Sequence, residues 1–319
     1  MSEQPAKEIT LRSEDSQHYR VPASGSNSVC AIVVAYYPDE KFDERVQSLL
    51  HQVAHVVVVD NTPDKRHSTR VKNDFHTGAQ LHVIENPNNL GIAAALNQGL
   101  EYAKVNGFMW ILTLDQDTLC FPDMVETLLN VSKTCKPTPL VIGGNYLDPR
   151  SRRTKVPDGE AAAFLEQKTV ITSGSLVDTA LAAAIGGFRA DYFIDQVDHE
   201  FCLRARARGH RVVISCKPVM THSVGSPGGV RLPFLGVLPN HPPVRKYYIA
   251  RNTVVTIAEY WRREPAWCLR RLTRLLLGLV EMALLEKDRF GKVRAFAAGV
   301  MDGLRRRMGP CRIESARKF

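Results

Sequence analysis

"VCAIVVAYYPDEKFDERVQSLLHQVAHVVVVDNTP", residues 29–63, sets two continuous apolar runs either side of a helical repeat. VCAIVVA and HVVVV are unbroken and rich in β-branched residues, as expected of strands buried on both faces. Between them Phe42, Val46, Leu49 and Leu50 recur at helical spacing. Pro38 closes the first strand, and the turn-forming cluster Asp60-Asn61-Thr62-Pro63 closes the second. The same grammar continues with a strand in AQLHVIENPNN (79–89), a small-residue helix in GIAAALNQGLEYAKVNG (91–107) and a strand in FMWILTLDQD (108–117). This order predicts an α/β fold, a Rossmann-like and mostly parallel sheet flanked by helices and joined by right-handed crossovers. Ligands of such sheets bind beyond the carboxyl ends of the strands. Asp60, Asp115 and Asp117 all stand at such ends, which predicts a shared crevice.

The second half brings PLVIGGNYLD (139–148), a polar loop, KTVITSGSLVDTALAAAIGGF (168–188) and then FIDQVDHEFCLRARARGHRVVISC (193–216), an acidic turn followed by a helix and a strand. SVGSPGGVRLPFLGVLPNHPP (223–243) has no period and reads as a long loop. From Val244 onward the pattern is helical, with Leu272, Leu275, Leu276, Leu279 and Ala283 on one face and Arg270, Arg274 and Glu281 on the other. The expected organisation is a flexible leader (1–28), an α/β domain (29–243) and a C-terminal helical, basic, amphipathic extension (244–319).

Composition, 44% hydrophobic and 24% charged over 319 residues, is that of a globular protein with a sizeable core. Seven scattered cysteines without a C-x-x-C pair argue for thiols as apolar fillers in a reducing compartment. The polar N-terminus lacks the apolar region of a secretory signal, and LLLGLVEMALL (275–285) is too short to span a bilayer. The net charge of +9 lies entirely in residues 262–319, where 15 Lys and Arg face 6 Asp and Glu. A solvated helical surface and an anionic lipid surface are both compatible with that tail.

Several constellations carry chemistry. On a strand, residues i and i+2 share a side, so Asp115 and Asp117 could converge on one hard cation such as Mg²⁺ that also holds diphosphate oxygens; a capped turn before the next helix is the plainer account. Asp60 could accept from a nucleobase imide or a ribose hydroxyl, or simply form its turn. NPNNLGIAAALNQG (86–99) is neither G-x-G-x-x-G nor a P-loop. Asp195, Asp198 and Glu200 lie within six residues of one another, more acids than a helix N-terminus requires, and one desolvated carboxylate could act as a general base. His222 follows a strand, and RKYYIARN (245–252) offers Arg245, Lys246, Arg251 and Asn252 to phosphate oxygens.

Taken in order, VVAYYP, VVVVDN, NNLGIAAALNQGL, LTLDQDT, SGSLV, GGFRADYFIDQVDHEFCLRA, THSVG and RKYYIARN resemble the family 2 glycosyltransferases of the GT-A fold, and within them the bacterial rhamnosyltransferases that use dTDP-L-rhamnose. The resemblance runs from about Cys30 to Gly309. It implies that Tyr36 and Asp60 hold the thymine and deoxyribose, and that Asn89, Gly91 and Asn97 shape the nucleotide site. Asp115 would contact the sugar nucleotide, Asp117 would bind Mg²⁺ or Mn²⁺, and His222 would be a second metal ligand or diphosphate contact. Arg251 and Asn252 would lie near the diphosphate. Asp198 would be the catalytic base, with Asp195 and Glu200 as weaker acceptor-side candidates; Val197 stands where the family often has glutamate.

The implied activity is inverting transfer of L-rhamnose to a glycolipid or lipid-linked saccharide, either a mono-rhamnolipid or an O-antigen or polysaccharide intermediate. The implied enzyme is peripheral on the inner face of the cytoplasmic membrane, held by its basic C-terminal helices, and has no nucleic-acid partner. A nucleotidyltransferase would share the acid pair but would want a glycine-rich basic phosphate loop that VVAYYPDE is not. A non-enzymatic binding protein would leave the acids dispensable.

Overall fold

The computed structural model describes residues 25–64, 80–149, 151–158, 162–222, 230–232, 236–238 and 240–311; the expected leader falls almost wholly outside them. Strands β1 (Val29–Ala35), β2 (His55–Asp60), β3 (Leu81–Glu85) and β4 (Trp110–Asp115) are joined through helices α1 (Phe42–Leu50) and α2 (Ile92–Val105). They pair in parallel in the order β3-β2-β1-β4. Side chains of β1 alternate strictly. Val29, Ala31 and Val33 enter the core under α1, while Cys30 and Ile32 face α2. Helix α2 lies so close to the sheet that a Cβ on Gly99 would come within 2.5 Å of Ile32, which explains the small-residue helix seen in the sequence.

Beyond Asp115 come β5 (Leu119–Cys120), α3 (Met124–Thr134), β6 (Val141–Asp148), β7 (Arg153–Thr154), β8 (Phe164–Glu166) and β9 (Ser175–Asp178). Helices α4 (Thr179–Ala184) and α5 (Val197–Ala207) precede β10 (Val212–Thr221). Here the sheet departs from a mostly parallel one. Strand β9 inserts antiparallel between β4 and β6, and β5 and β8 pair antiparallel with β10. In this half only β6 and β10 pair in parallel, and the helix-containing connection between them is the one to which the handedness rule applies. Residues 223–243, expected as a featureless loop, contain a short hairpin, β11 (Val230–Leu232) with β12 (Gly236–Leu238).

Three helices end the described chain: α6 (Pro243–Tyr260), α7 (Pro265–Leu285) and α8 (Arg289–Leu304). Tyr247, Tyr248, Arg251, Asn252, Val255 and Thr256 of α6 are all buried. Six of the seven cysteines are buried thiols, in keeping with a filling role.

Candidate active site

The carboxyl ends of β1, β2 and β4 set the frame. Ala35 is in register with Asp60 and Val34 with Asp115, so the two aspartates flank β1. Two strand spacings put them about 10 Å apart. The turn after Asp115 does not cap a helix, because α3 starts only at Met124. It carries Asp117 outward, and ligand atoms of Asp115, Asp117 and His222 all lie within 4.8 Å of one another. Two carboxylates and one imidazole in that arrangement fit a divalent cation that keeps coordination positions for diphosphate oxygens.

A polar chain supports this cluster from beneath. The Asp115 amide donates to Ser173 Oγ at 3.1 Å, Ser173 Oγ lies 2.5 Å from Thr118 Oγ1, and Thr118 Oγ1 is 3.4 Å from His222 Nδ1. The edge of the His222 ring meets Tyr146. Burial pushes the Asp115 carboxyl up to about 6; His222 opposes the rise, Asp117 and Asp198 add to it, and Arg245 opposes it. Those four groups therefore lie within electrostatic reach of Asp115.

At the other end, Asp60 is 1% exposed. Its Oδ1 accepts from the Thr62 amide at 2.8 Å, while its Oδ2 is buried with no hydrogen-bond partner among the described residues. A buried carboxylate oxygen without a donor is costly, and an incoming N–H would relieve it. Tyr36 and Tyr37 stand beside it as an edge-to-face pair, the Tyr37 amide donates to Thr62 Oγ1, and the Tyr36 hydroxyl bonds Asn89. The result is an aromatic and hydrogen-bonding pocket one strand away from the cation cluster.

The third wall is the turn before α5. Asp198 is the second residue of α5, its Oδ1 accepts from the His199 amide at 2.7 Å, and Oδ2 remains to accept a hydroxyl proton. His199 is not a rival base, since burial pulls its ring down to about 4. Asp195 is committed to Arg245, with three contacts of 3.2–3.3 Å.

The glycosyl transferase family 2 profile matches residues 30–175. A dTDP-rhamnosyl transferase of Shigella flexneri, RfbF, is 25% identical over 296 residues, covering 88% of this chain and 96% of its own. Residues 30–175 are a family 2 glycosyltransferase domain. Among solved structures, S. aureus TarS 1-349 superposes with a TM-score of 0.59 at 16% identity, over 88% of this transferase and 81% of that chain. GalNAc-T7 with UDP, GalNAc and Mn²⁺ gives 0.55 at 12% identity, over 87% of this transferase and 56% of that chain. Both likenesses place the transferase in the GT-A fold.

Several residues expected at the nucleotide or acceptor are structural in the transferase. Arg251 is 0% exposed: it donates to the carbonyls of Gly309, Asp191 and Tyr192 and lies over the rings of Tyr247 and Tyr248. Asn252 donates to the carbonyls of Tyr192, Ile194 and Asp195. Neither reaches a diphosphate. Arg245, a little under two turns earlier on α6, instead pairs with Asp195 and lies within electrostatic reach of Asp115. Glu200 is 2% exposed and saturated by Arg204 and the Tyr260 hydroxyl, which removes it from the acceptor side. Asn97 exchanges two hydrogen bonds with the backbone of Phe188, and Gly91, at φ +85°, leaves no room for a Cβ, which would sit 2.5 Å from Phe193 O. Both serve the packing of α2 against the segment that leads to Asp198.

Gln116 is also a correction. Its position between two aspartates suggests a side chain turned away from the crevice and tolerant of replacement. Instead its Oε1 accepts from the Tyr36 amide at 2.7 Å and its Nε2 donates to the Tyr36 carbonyl at 3.2 Å, clasping the end of β1 to the Asp115–Asp117 turn. Losing two neutral hydrogen bonds costs about 1–2 kcal/mol. Gln116→Ala is therefore expected to raise KM for the sugar nucleotide about five- to thirtyfold with kcat little changed; an unchanged KM in steady-state kinetics would remove the clasp from the donor site. Of Ser173 and Thr118, which support Asp115 and His222, the sequence reading gave Ser173 no role and Thr118 only that of a candidate helix cap. The only signal was their place in the SGSLV and LDQDT motifs.

Proposed function

We propose that the enzyme transfers L-rhamnose from dTDP-L-rhamnose, with inversion, to a hydroxyl of an amphiphilic acceptor at the inner face of the cytoplasmic membrane. The observation that carries this reading is the pairing, about 10 Å apart across β1, of the unpartnered Asp60 oxygen with the Asp115, Asp117 and His222 cluster. A thymine imide N–H suits the first and a diphosphate the second. The sugar is taken from the Shigella relative.

Asp60, Tyr36 and Asn89 hold the base and deoxyribose. Asp115, Asp117 and His222 would hold Mg²⁺ or Mn²⁺, which when bound neutralises the charge that grows on the diphosphate. Arg245 adds a second positive charge from α6. Asp198 accepts the proton of the acceptor hydroxyl, whose oxygen bonds to the anomeric carbon as the bond to dTDP breaks and leaves its electron pair on dTDP. Attack from the face opposite the leaving group converts a β-linked donor into an α-linked product.

The test is dTDP release from dTDP-L-rhamnose with a mono-rhamnolipid and, separately, with a lipid-linked saccharide, in Mg²⁺ or Mn²⁺. Chelation is expected to abolish turnover, and Asp117→Ala to lower it about 10²–10³-fold. Turnover that survives both would refute the assignment of the cation site, and pyrophosphate release from a nucleoside triphosphate would refute the transferase reading.

A further inference from the structure

Helix α7 has two apolar faces. Trp267, Cys268, Leu275 and Met282 are buried in the molecule. Opposite them Leu269, Leu276, Val280 and Leu284 are 56%, 54%, 53% and 70% exposed. Their spacing of seven, four and four residues aligns them in one stripe, about 23 Å long. Leu277 widens it and Phe290, 81% exposed, stands beyond its end. Scattered exposed leucines are ordinary; an aligned row on a solvent-facing helix marks an interaction surface.

Charge identifies what the surface meets. Arg270 and Arg274 follow the stripe along one edge, both exposed, and the nearest acid to Arg274 is Glu281 at 4.0 Å. Lys287 and Arg289 are exposed just past the end of the helix. No helix among the described residues is long and apolar enough to cross a membrane. An apolar stripe edged by arginines is the pattern of a helix lying in the headgroup plane of an anionic bilayer.

We infer that this face of α7 docks on an anionic lipid surface, with Leu269, Leu276, Val280 and Leu284 entering the acyl boundary and Arg270 and Arg274 meeting lipid phosphates. The leucines assigned from sequence alone to the apolar face were Leu272, Leu275, Leu276 and Leu279. Of these only Leu276 belongs to the docking stripe, and Leu275 is buried. The inference extends the reading of the acceptor as a membrane-borne amphiphile and rests on that reading for its purpose, though not for its test.

That test is flotation of the full chain with phosphatidylglycerol-containing vesicles and with pure phosphatidylcholine vesicles, without donor or acceptor. The wild type is expected to float with the anionic vesicles, and Leu276→Glu combined with Val280→Glu to reduce binding at least about tenfold, while dTDP binding stays as in wild type. Absence of flotation, or flotation of the variant equal to wild type, overturns the proposal. A wild-type dimer that the double variant converts to monomer, without vesicle binding, assigns the face to a second copy instead. Equal binding to neutral vesicles overturns the part given to the arginines. Vesicle binding that persists while dTDP release fails would sink the rhamnosyltransferase reading and leave the surface intact.

Discussion

Asp198→Asn is expected to lower kcat about 10²–10⁴-fold, the contribution of a positioned general base, while leaving the affinity for dTDP unchanged. Asparagine retains the Oδ1 that accepts from the His199 amide, so the start of α5 keeps its geometry. What is lost is the oxygen able to take a proton. Asp198 also raises the proton affinity of Asp115, which places the two carboxylates within electrostatic reach of each other. The neighbouring acids cannot substitute. Asp195 is tied to Arg245, and Glu200 is sealed between Arg204 and Tyr260. Single-turnover kinetics with saturating donor, beside calorimetric titration with dTDP, separates the two effects. A kcat within tenfold of wild type would return the proton to another group, and a matching loss of dTDP affinity would make Asp198 a binding residue.

How much of this was legible in the sequence follows from the range of each interaction. The ends of β1, β2 and β4 are marked locally, by a proline, a turn cluster and the acid pair, so Asp60 and the Asp115–Asp117 turn could be assigned to one crevice from spacing alone. Parallel register then does the rest, because Ala35 and Val34 carry the two aspartates to adjacent levels. His222 lies 104 residues from Thr118, and its approach depends on β10 pairing with β6, which no local pattern specifies. The antiparallel insertion of β9 was hidden for the same reason. Arg245 and Arg251 share one motif and one helix, yet the first pairs with Asp195 within electrostatic reach of Asp115 and the second is entombed. Their fates differ because the carbonyls that solvate Arg251 come from residues 191, 192 and 309. Gln116 was misread because alternation along a strand was extended one residue past the last one that obeys it, Asp115.

Arg251→Ala should be the most destabilising single change, with an expected loss of about 4 kcal/mol in urea unfolding. The guanidinium forms no salt bridge with an acid of the described residues; three carbonyls, the Asn252 side chain and two tyrosine rings balance it. Truncation takes the Arg251 donor from the Gly309 carbonyl, leaves those of Asp191 and Tyr192 with only their remaining partners, and opens a cavity between α6 and the turn over 191–195. That turn is strained. Phe193, Asp195 and Gln196 have φ of 66°, 64° and 64°, each costing about 1–2 kcal/mol for a side-chain-bearing residue. Arg251 and Asn252 together supply five hydrogen bonds to its carbonyls, and Phe193 stacks on Tyr248 at 5.1 Å. Helix α6 is thus what holds the approach to Asp198 in place, and the helical C-terminal region is built into the α/β body beside it. Asn252→Ala should therefore lower kcat as well as stability, since relaxation of the turn displaces the base. Arg251→Lys should recover part of the stability, because one ammonium cannot reach carbonyls on two sides of a planar fork. The opposite pattern, unchanged unfolding with a raised KM for dTDP-L-rhamnose, would put Arg251 back beside the diphosphate.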